Sequence, residues 1–76
     1  MMNVTTEEIK AIKPGATEAF HCDVTKMRSL ATILSDMKKY GCCPEGIVEY
    51  EHRKFPNKKI VIIRALREGD MKVLNP

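Results

Sequence analysis

Apolar side chains recur along this chain with two different periods. Met27, Leu30, Ala31, Leu34 and Met37 return at helical spacing, and at 100° per residue they fill one stripe roughly 120° wide. The spacing predicts a helix over Thr25–Tyr40, capped by Asp23 or Thr25 and ended by Gly41 in the left-handed region. Ile33 and Tyr40 flank one edge of the stripe, Lys38 the other, and Arg28, Thr32, Ser35 and Lys39 face away from it. From Ile47 the period drops to two. Val48, Tyr50 and His52 share one face, and Glu49, Glu51 and Arg53 share the other. Ile60–Leu66 is apolar almost throughout, as in a strand covered on both sides. Pro56 and Asn57 between the two runs suit a turn, because proline presets its backbone and asparagine tolerates the left-handed region. A two-residue turn centred there sets Phe55 opposite Lys58, Lys54 opposite Lys59, Tyr50 opposite Ile63 and Glu49 opposite Arg64. Val48, Tyr50 and His52 then meet Val61, Ile63 and Ala65 in one apolar layer, an agreement that a one-residue slip would destroy. Pro-Asn is not the favoured hairpin dipeptide, so a longer loop or a bulge stays open.

The rest of the chain supplies fewer signals. Thr17–Asp23 reads as a first strand, with Phe20 and Cys22 turned to the core and Ala19 and His21 to the other face. Thr5-Thr6-Glu7-Glu8 reads as a helix start, a hydroxyl cap followed by acids in the first turn. Ile9 and Ile12 would be its apolar contacts, and Lys13-Pro14-Gly15 its end. A strand over Glu8–Ile12 is the alternative. The expected architecture is α+β: a three-stranded antiparallel sheet in the order β-α-β-β, with one helix packed on one face and a short N-terminal helical turn or extra strand. Residues 1–76 form one domain in this reading, with 1–4 and 69–76 as flexible tails, although Met71, Val73 and Leu74 could pair as an edge strand. Ile60 and Ile62 fall on the sheet face away from the helix. The N-terminal segment is expected to cover them through Ile9 and Ile12; the alternative cover is a second subunit.

Charge sharpens this picture. The net charge of +3 is unevenly placed. Residues 1–25 carry −2, residues 26–67 hold ten Lys or Arg against four acids for +6, and the last nine carry −1. A central basic block steers anionic partners, and it also serves as plain solvation. Cys22, Cys42 and Cys43 are an odd count, and the chain carries no apolar run suited to a membrane span or signal peptide. That combination points to reduced thiols in a cytoplasmic setting. No zinc-type ligand spacing, phosphate loop or HExxH motif is present, so neither a metal nor a cofactor is expected, and no residue is marked as catalytic.

The stretches IKAIKPGATEAFHCD, RSLATILSDMKKYG and EYEHRKFPNKKIVIIRAL together resemble small proteins of phages and mobile elements in gut bacteria, a group without a settled activity. The resemblance covers most of residues 9–67 and rests on structural motifs: a Pro-Gly turn into a strand, a helix with a small-residue stretch, and a closing strand of the V-x-R type. Asp36-Met37 stands where an Arg-Leu pair is common, which removes one cation from the helix. The expected architecture also looks like the DNA-binding domains of some integrases and plant transcription factors, and fold alone does not decide function.

The candidate site is therefore the hairpin tip. Arg53, Lys54, Lys58 and Lys59 crowd it, and Lys54 directly opposite Lys59 would be unfavourable without an anionic partner. Phosphate contacts from such residues provide sequence-independent affinity, and a two-stranded ribbon fits the major groove of DNA. Arg28 and Lys39 on the outer helix side form a second candidate surface. Tyr50 reads as core, not as a stacking platform, and Glu49 and Glu51 argue against the outer sheet face following a phosphate backbone. The competing expectation is a protein-interaction or inhibitor module acting through Ile60 and Ile62, in one version as a homodimer.

Overall fold

The computed structural model describes residues 3–74; Met1, Met2, Asn75 and Pro76, the outer parts of the expected tails, lie outside the described residues. In chain order the elements are α1 (Thr6–Lys10), β1 (Thr17–His21), α2 (Val24–Lys39), β2 (Glu49–Phe55), a 3-10 turn (Pro56–Lys58) and β3 (Ile60–Leu66). The α+β architecture is as the hydrophobic pattern predicts: β1-α2-β2-β3, with β3 central in a three-stranded antiparallel sheet of order β1-β3-β2.

Local chemistry sets the helix ends. Thr5 and Glu8 make a reciprocal capping box at α1, with the Glu8 amide donating to Thr5 Oγ1 at 3.2 Å and the Thr5 amide to Glu8 Oε1 at 3.0 Å. That chemistry decides for the helical turn over the strand alternative. Asp23 holds the N-cap position of α2 without a side-chain cap bond. At the other end Gly41 takes φ 68°, Cys42 N–H donates to Met37 C=O at 2.8 Å and Gly41 N–H to Lys38 C=O at 3.3 Å. This is the Schellman pattern, and a side chain at Gly41 would strain it.

One apolar core lies between the helices and one face of the sheet. Met27, Leu30, Leu34 and Met37 of α2 pack with Tyr50, Val61, Ile63 and Ala65. Burial of each large side chain contributes about 1.5–3 kcal/mol of transfer free energy. Phe20 is only partly buried against this cluster, and Cys22 is fully inside it. Ile9 and Ile12 join the same cluster, each 1% exposed. They therefore lie on the α2 side of the sheet and do not cover Ile60 and Ile62, which stay partly exposed on the opposite face. The reason is the entry path. Gly15 N–H donates to Ala65 C=O at 2.8 Å and Ala65 N–H to Ala16 C=O at 3.0 Å, which carries the β1 edge back towards α1.

The hairpin register differs from the two-residue turn. Tyr50 pairs with Ala65, Glu49 with Leu66, Glu51 with Arg64 and Phe55 with Ile60. Lys54 lies opposite Val61, so the like-charged Lys54–Lys59 pair does not form. The loop runs from Pro56 to Lys59: proline opens a 3-10 turn, and Lys59, not Asn57, takes the left-handed conformation at φ 54°. Two extra loop residues move the register by an even number, so each side chain keeps its face. Val48 is the exception to the expected layer. It precedes the strand and is 46% exposed.

The opposite sheet face carries the C-terminal segment at one end. Val73 and Leu74 donate backbone N–H groups to the Glu51 carboxylate at 2.9–3.0 Å, and Arg64 Nη1 donates to Met71 C=O at 2.8 Å. Arg67 and Asp70 close the turn that leads there. Met71, Val73 and Leu74 form no strand. Glu51, on the outer sheet face as alternation predicts, is fully buried beneath them. At the N-terminal side, Val4 N–H donates to His21 C=O at 3.1 Å and Asp23 N–H to Asn3 Oδ1 at 2.8 Å.

Candidate nucleic-acid interface

The tip is built from β2, the 3-10 turn and the first residues of β3. Arg53, Lys54, Lys58 and Lys59 are all exposed there. Strand alternation sends Arg53 and Phe55 to the outer sheet face and Lys54 to the α2 face with Tyr50 and His52. The Lys59 carbonyl accepts the Cys22 amide at 2.9 Å. That bond joins the tip to the turn between β1 and α2, so Lys26 and Arg28, in the first turns of α2 and both exposed, belong to the same end of the molecule. Lys39 does not. It sits eleven residues beyond Arg28, about 16 Å along the axis at 1.5 Å per residue. The Lys38–Glu49 ion pair at 3.3 Å fixes that end of α2 beside the start of β2, away from the tip.

The ion-paired lysines and arginines all lie away from the tip. Lys38 and Lys72 both bind Glu49, at 3.3 and 3.1 Å, Arg64 lies 3.6 Å from Glu51, and Arg67 pairs with Asp70 at 3.1 Å. Burial alone would push the Glu49 carboxyl up, but hydrogen bonds from Lys72 and Lys38 outweigh it and hold it below its usual range. All of these pairs lie at the end remote from the tip. Among the described residues no carboxylate comes within ion-pair distance of Arg53, Lys54, Lys58 or Lys59. His52 feels this field. Burial first, then the Lys54 charge, depresses its pKa below the ordinary imidazole value.

On the outer face, the half not crossed by the C-terminal segment is apolar. Ile60, Ile62 and Phe55 are partly exposed and Ala19 is exposed. The Arg53 guanidinium stands 5.5 Å from the Phe55 ring centroid, within cation–π range. Two shallow hollows lie here. One, about 300 Å³, is lined by Ala19, Phe20, His21, Lys58 and Ile60. The other, about 220 Å³, is lined by Ala19, Phe55, Lys58, Ile60 and Ile62. Both sit at or below the range of pockets that enclose a small molecule, which starts near ~300 Å³. They suit a flat group resting on the surface. His21 Nε2 lies 3.5 Å from Asp23, the carboxylate nearest to this side of the tip in sequence.

Reading the sequence singled out the cations and, as a separate candidate surface, Ile60 and Ile62, but missed Phe55 and Ala19 beside them. The available signal was parity: Phe55 shares its face with Arg53, and Ile60 and Ile62 share theirs away from the helix. Tyr50, read as core, is 6% exposed, and its hydroxyl is buried without a hydrogen-bond partner. Burial, and secondarily the nearby Cys43, pushes its pKa up to about 12. The three cysteines are free: Cys22 buried, Cys43 half-buried and Cys42 exposed. No group of three or more His, Cys, Asp or Glu among the described residues is placed to hold a metal ion, and no helix is long and apolar enough to cross a membrane. Comparison with protein-family models, with curated proteins and with solved structures gives no match.

Proposed function

We propose that this chain is a small nucleic-acid-binding accessory domain that contacts phosphates through its hairpin tip. The observation that supports this reading is the segregation of charge. Glu49, Glu51 and Asp70 pair with Lys38, Lys72, Arg64 and Arg67 away from the tip, while Arg53, Lys54, Lys58 and Lys59 stand clustered and exposed with no carboxylate in ion-pair reach among the described residues. Clustered exposed cations attract a polyanion, and a phosphate backbone supplies a negative charge every few ångströms. Arg28 and Lys26 extend the contact along the near end of α2. Lys39 lies too far along the helix to share one short site with the tip. The domain acts by binding and performs no catalytic step in this proposal.

The test is salt-dependent binding of a short DNA duplex. Three or four phosphate contacts predict a slope of log K against log salt near −3, and a loss of about 40- to 150-fold in affinity between 50 and 200 mM salt. K54E, K58E and K59E together should abolish most of that slope. Binding with the same affinity and slope in the triple variant would dispose of the tip as the site.

A second reading is a protein-interaction module using the partly exposed Ile60 and Ile62, as a homodimer in one version. A two-fold contact across that patch would bring Arg53 and Lys58 of both copies together, which opposes it. A monomer by sedimentation at high concentration removes the homodimer.

A further inference from the structure

We propose that the open half of the outer sheet face receives two successive unpaired nucleobases, with the phosphate between them on Lys58. This deepens the phosphate-binding reading above, on which it rests, by naming single-stranded nucleic acid as the ligand.

The inference starts from the arrangement of the two hollows. They share Ala19, Lys58 and Ile60, so they are neighbours with one lysine bordering both. One is walled by Phe55 and Ile62 and the other by His21, with Phe20 at its margin. A single strand presents this pattern in complement: flat apolar rings in series, joined by one negative charge per step. Stacking on aromatic and apolar surfaces is tolerant of sequence because every base has a π-face. Arg53 over the Phe55 ring at 5.5 Å adds a guanidinium plane at the edge of the same surface.

Two features favour a single strand over other occupants. The C-terminal segment, held on Glu51 and Arg64, closes the far half of this face. What stays open is short, whereas an amphipathic helix needs a groove long enough for anchors at i, i+3 or i+4, and i+7. A duplex hides its base faces, so Phe55 and Ile60 would gain nothing from it. Charge favours a nucleic acid at the Lys58 and Arg53 rim and disfavours it beside His21, where the Asp23 carboxylate lies 3.5 Å away; Glu51 is buried beneath the C-terminal segment.

The test uses the whole chain and four probes: a ten-residue oligothymidylate, a sixteen-base-pair duplex, heparin, and a peptide of alternating Glu and Leu. Binding is read by fluorescence anisotropy, and the site by methyl NMR. The oligothymidylate should bind tighter than duplex or heparin and shift the Ala19, Ile60 and Ile62 methyls while leaving those of Ile9 and Leu34 in place. Phe55→Leu keeps an apolar side chain but removes the ring. It should weaken the oligothymidylate at least about fivefold, the low end for one lost stacking contact, and leave heparin binding unchanged. Retention of the Ile9 and Leu34 methyl positions in Phe55→Leu confirms that the variant is folded; should it unfold, Lys58→Gln with the same methyl map takes its place. Equal affinity for all three polyanions, with no response to Phe55→Leu, overturns the base platform but leaves phosphate binding standing. Failure of every polyanion overturns both. Binding of the Glu-Leu peptide alone assigns the patch to a protein partner and overturns the proposal.

Discussion

Glu51→Ala is the most informative single change outside the tip. The Glu51 carboxylate is fully buried and accepts Val73 N–H at 3.0 Å and Leu74 N–H at 2.9 Å, with Arg64 Nη1 at 3.6 Å. Hydrogen bonds to a charged group contribute about 1.5–3 kcal/mol each. Removing the acceptor lets the segment lift, and both amides return to water, so no buried orphan is left on that side. Arg64 is 18% exposed and can turn outward, so the ~3–5 kcal/mol cost of stranding a buried charge is an upper bound. A loss of about 2–4 kcal/mol is expected. A chain of this length holds only about 4–11 kcal/mol in total. The melting temperature should therefore fall by about 10–30 °C. Urea unfolding measures the loss directly. A chain ending at Asp70 provides the control, because Glu51 is then solvated. Adding Glu51→Ala to it should cost less than about 0.5 kcal/mol. Additive losses in the double variant, or a single-variant loss below about 0.5 kcal/mol, would refute the clamp.

Three further outcomes are expected. Tyr50→Phe removes the buried, unpartnered hydroxyl and should leave stability unchanged or raise it by about 1–3 kcal/mol in urea unfolding; a loss would show that the hydroxyl has a partner. Lys59→Gly relieves a lysine held at φ 54° and should raise stability by up to about 1 kcal/mol, the left-handed strain less the added freedom of the unfolded chain, whereas Lys59→Val should lower the melting temperature. His52 titrates below its unfolded value, so the unfolded chain binds the extra proton first as pH falls. Its contribution is complete above the unfolded pKa near 6.5 and is lost as pH falls through the folded pKa. Melting temperature should drop from pH 7.5 to 5, and His52→Gln should flatten that drop.

Much of the fold was legible in the sequence, and particular residues show why. Met27, Leu30, Leu34 and Met37 declared a helix and its buried side because a period of 3.6 admits one face. Tyr50, Val61 and Ile63 share one side of the sheet even though the loop is two residues longer than the Pro-Asn turn implies. An even shift leaves alternation intact, so the pattern constrained the faces but not the register. Register depended on which residue would take the left-handed position, and Lys59 carries no propensity that announces it. The cationic tip was legible as composition. Its isolation from carboxylates was not, because Glu49 and Glu51 find their partners through the packing of α2, the β2–β3 register and the path of the C-terminal segment.

Local period and capping chemistry thus determined the elements, their order and the inward sides, since these follow from contacts a few residues apart. Tertiary structure alone decided three things: that Ile9 and Ile12 join the α2 core, that residues 71–74 bury Glu51, and that Phe55, Ile60 and Lys58 share an open surface. Each brings together segments that no short-range pattern couples. Their placement is set by competition among surfaces for a limited area of sheet, and only the assembled chain resolves that competition.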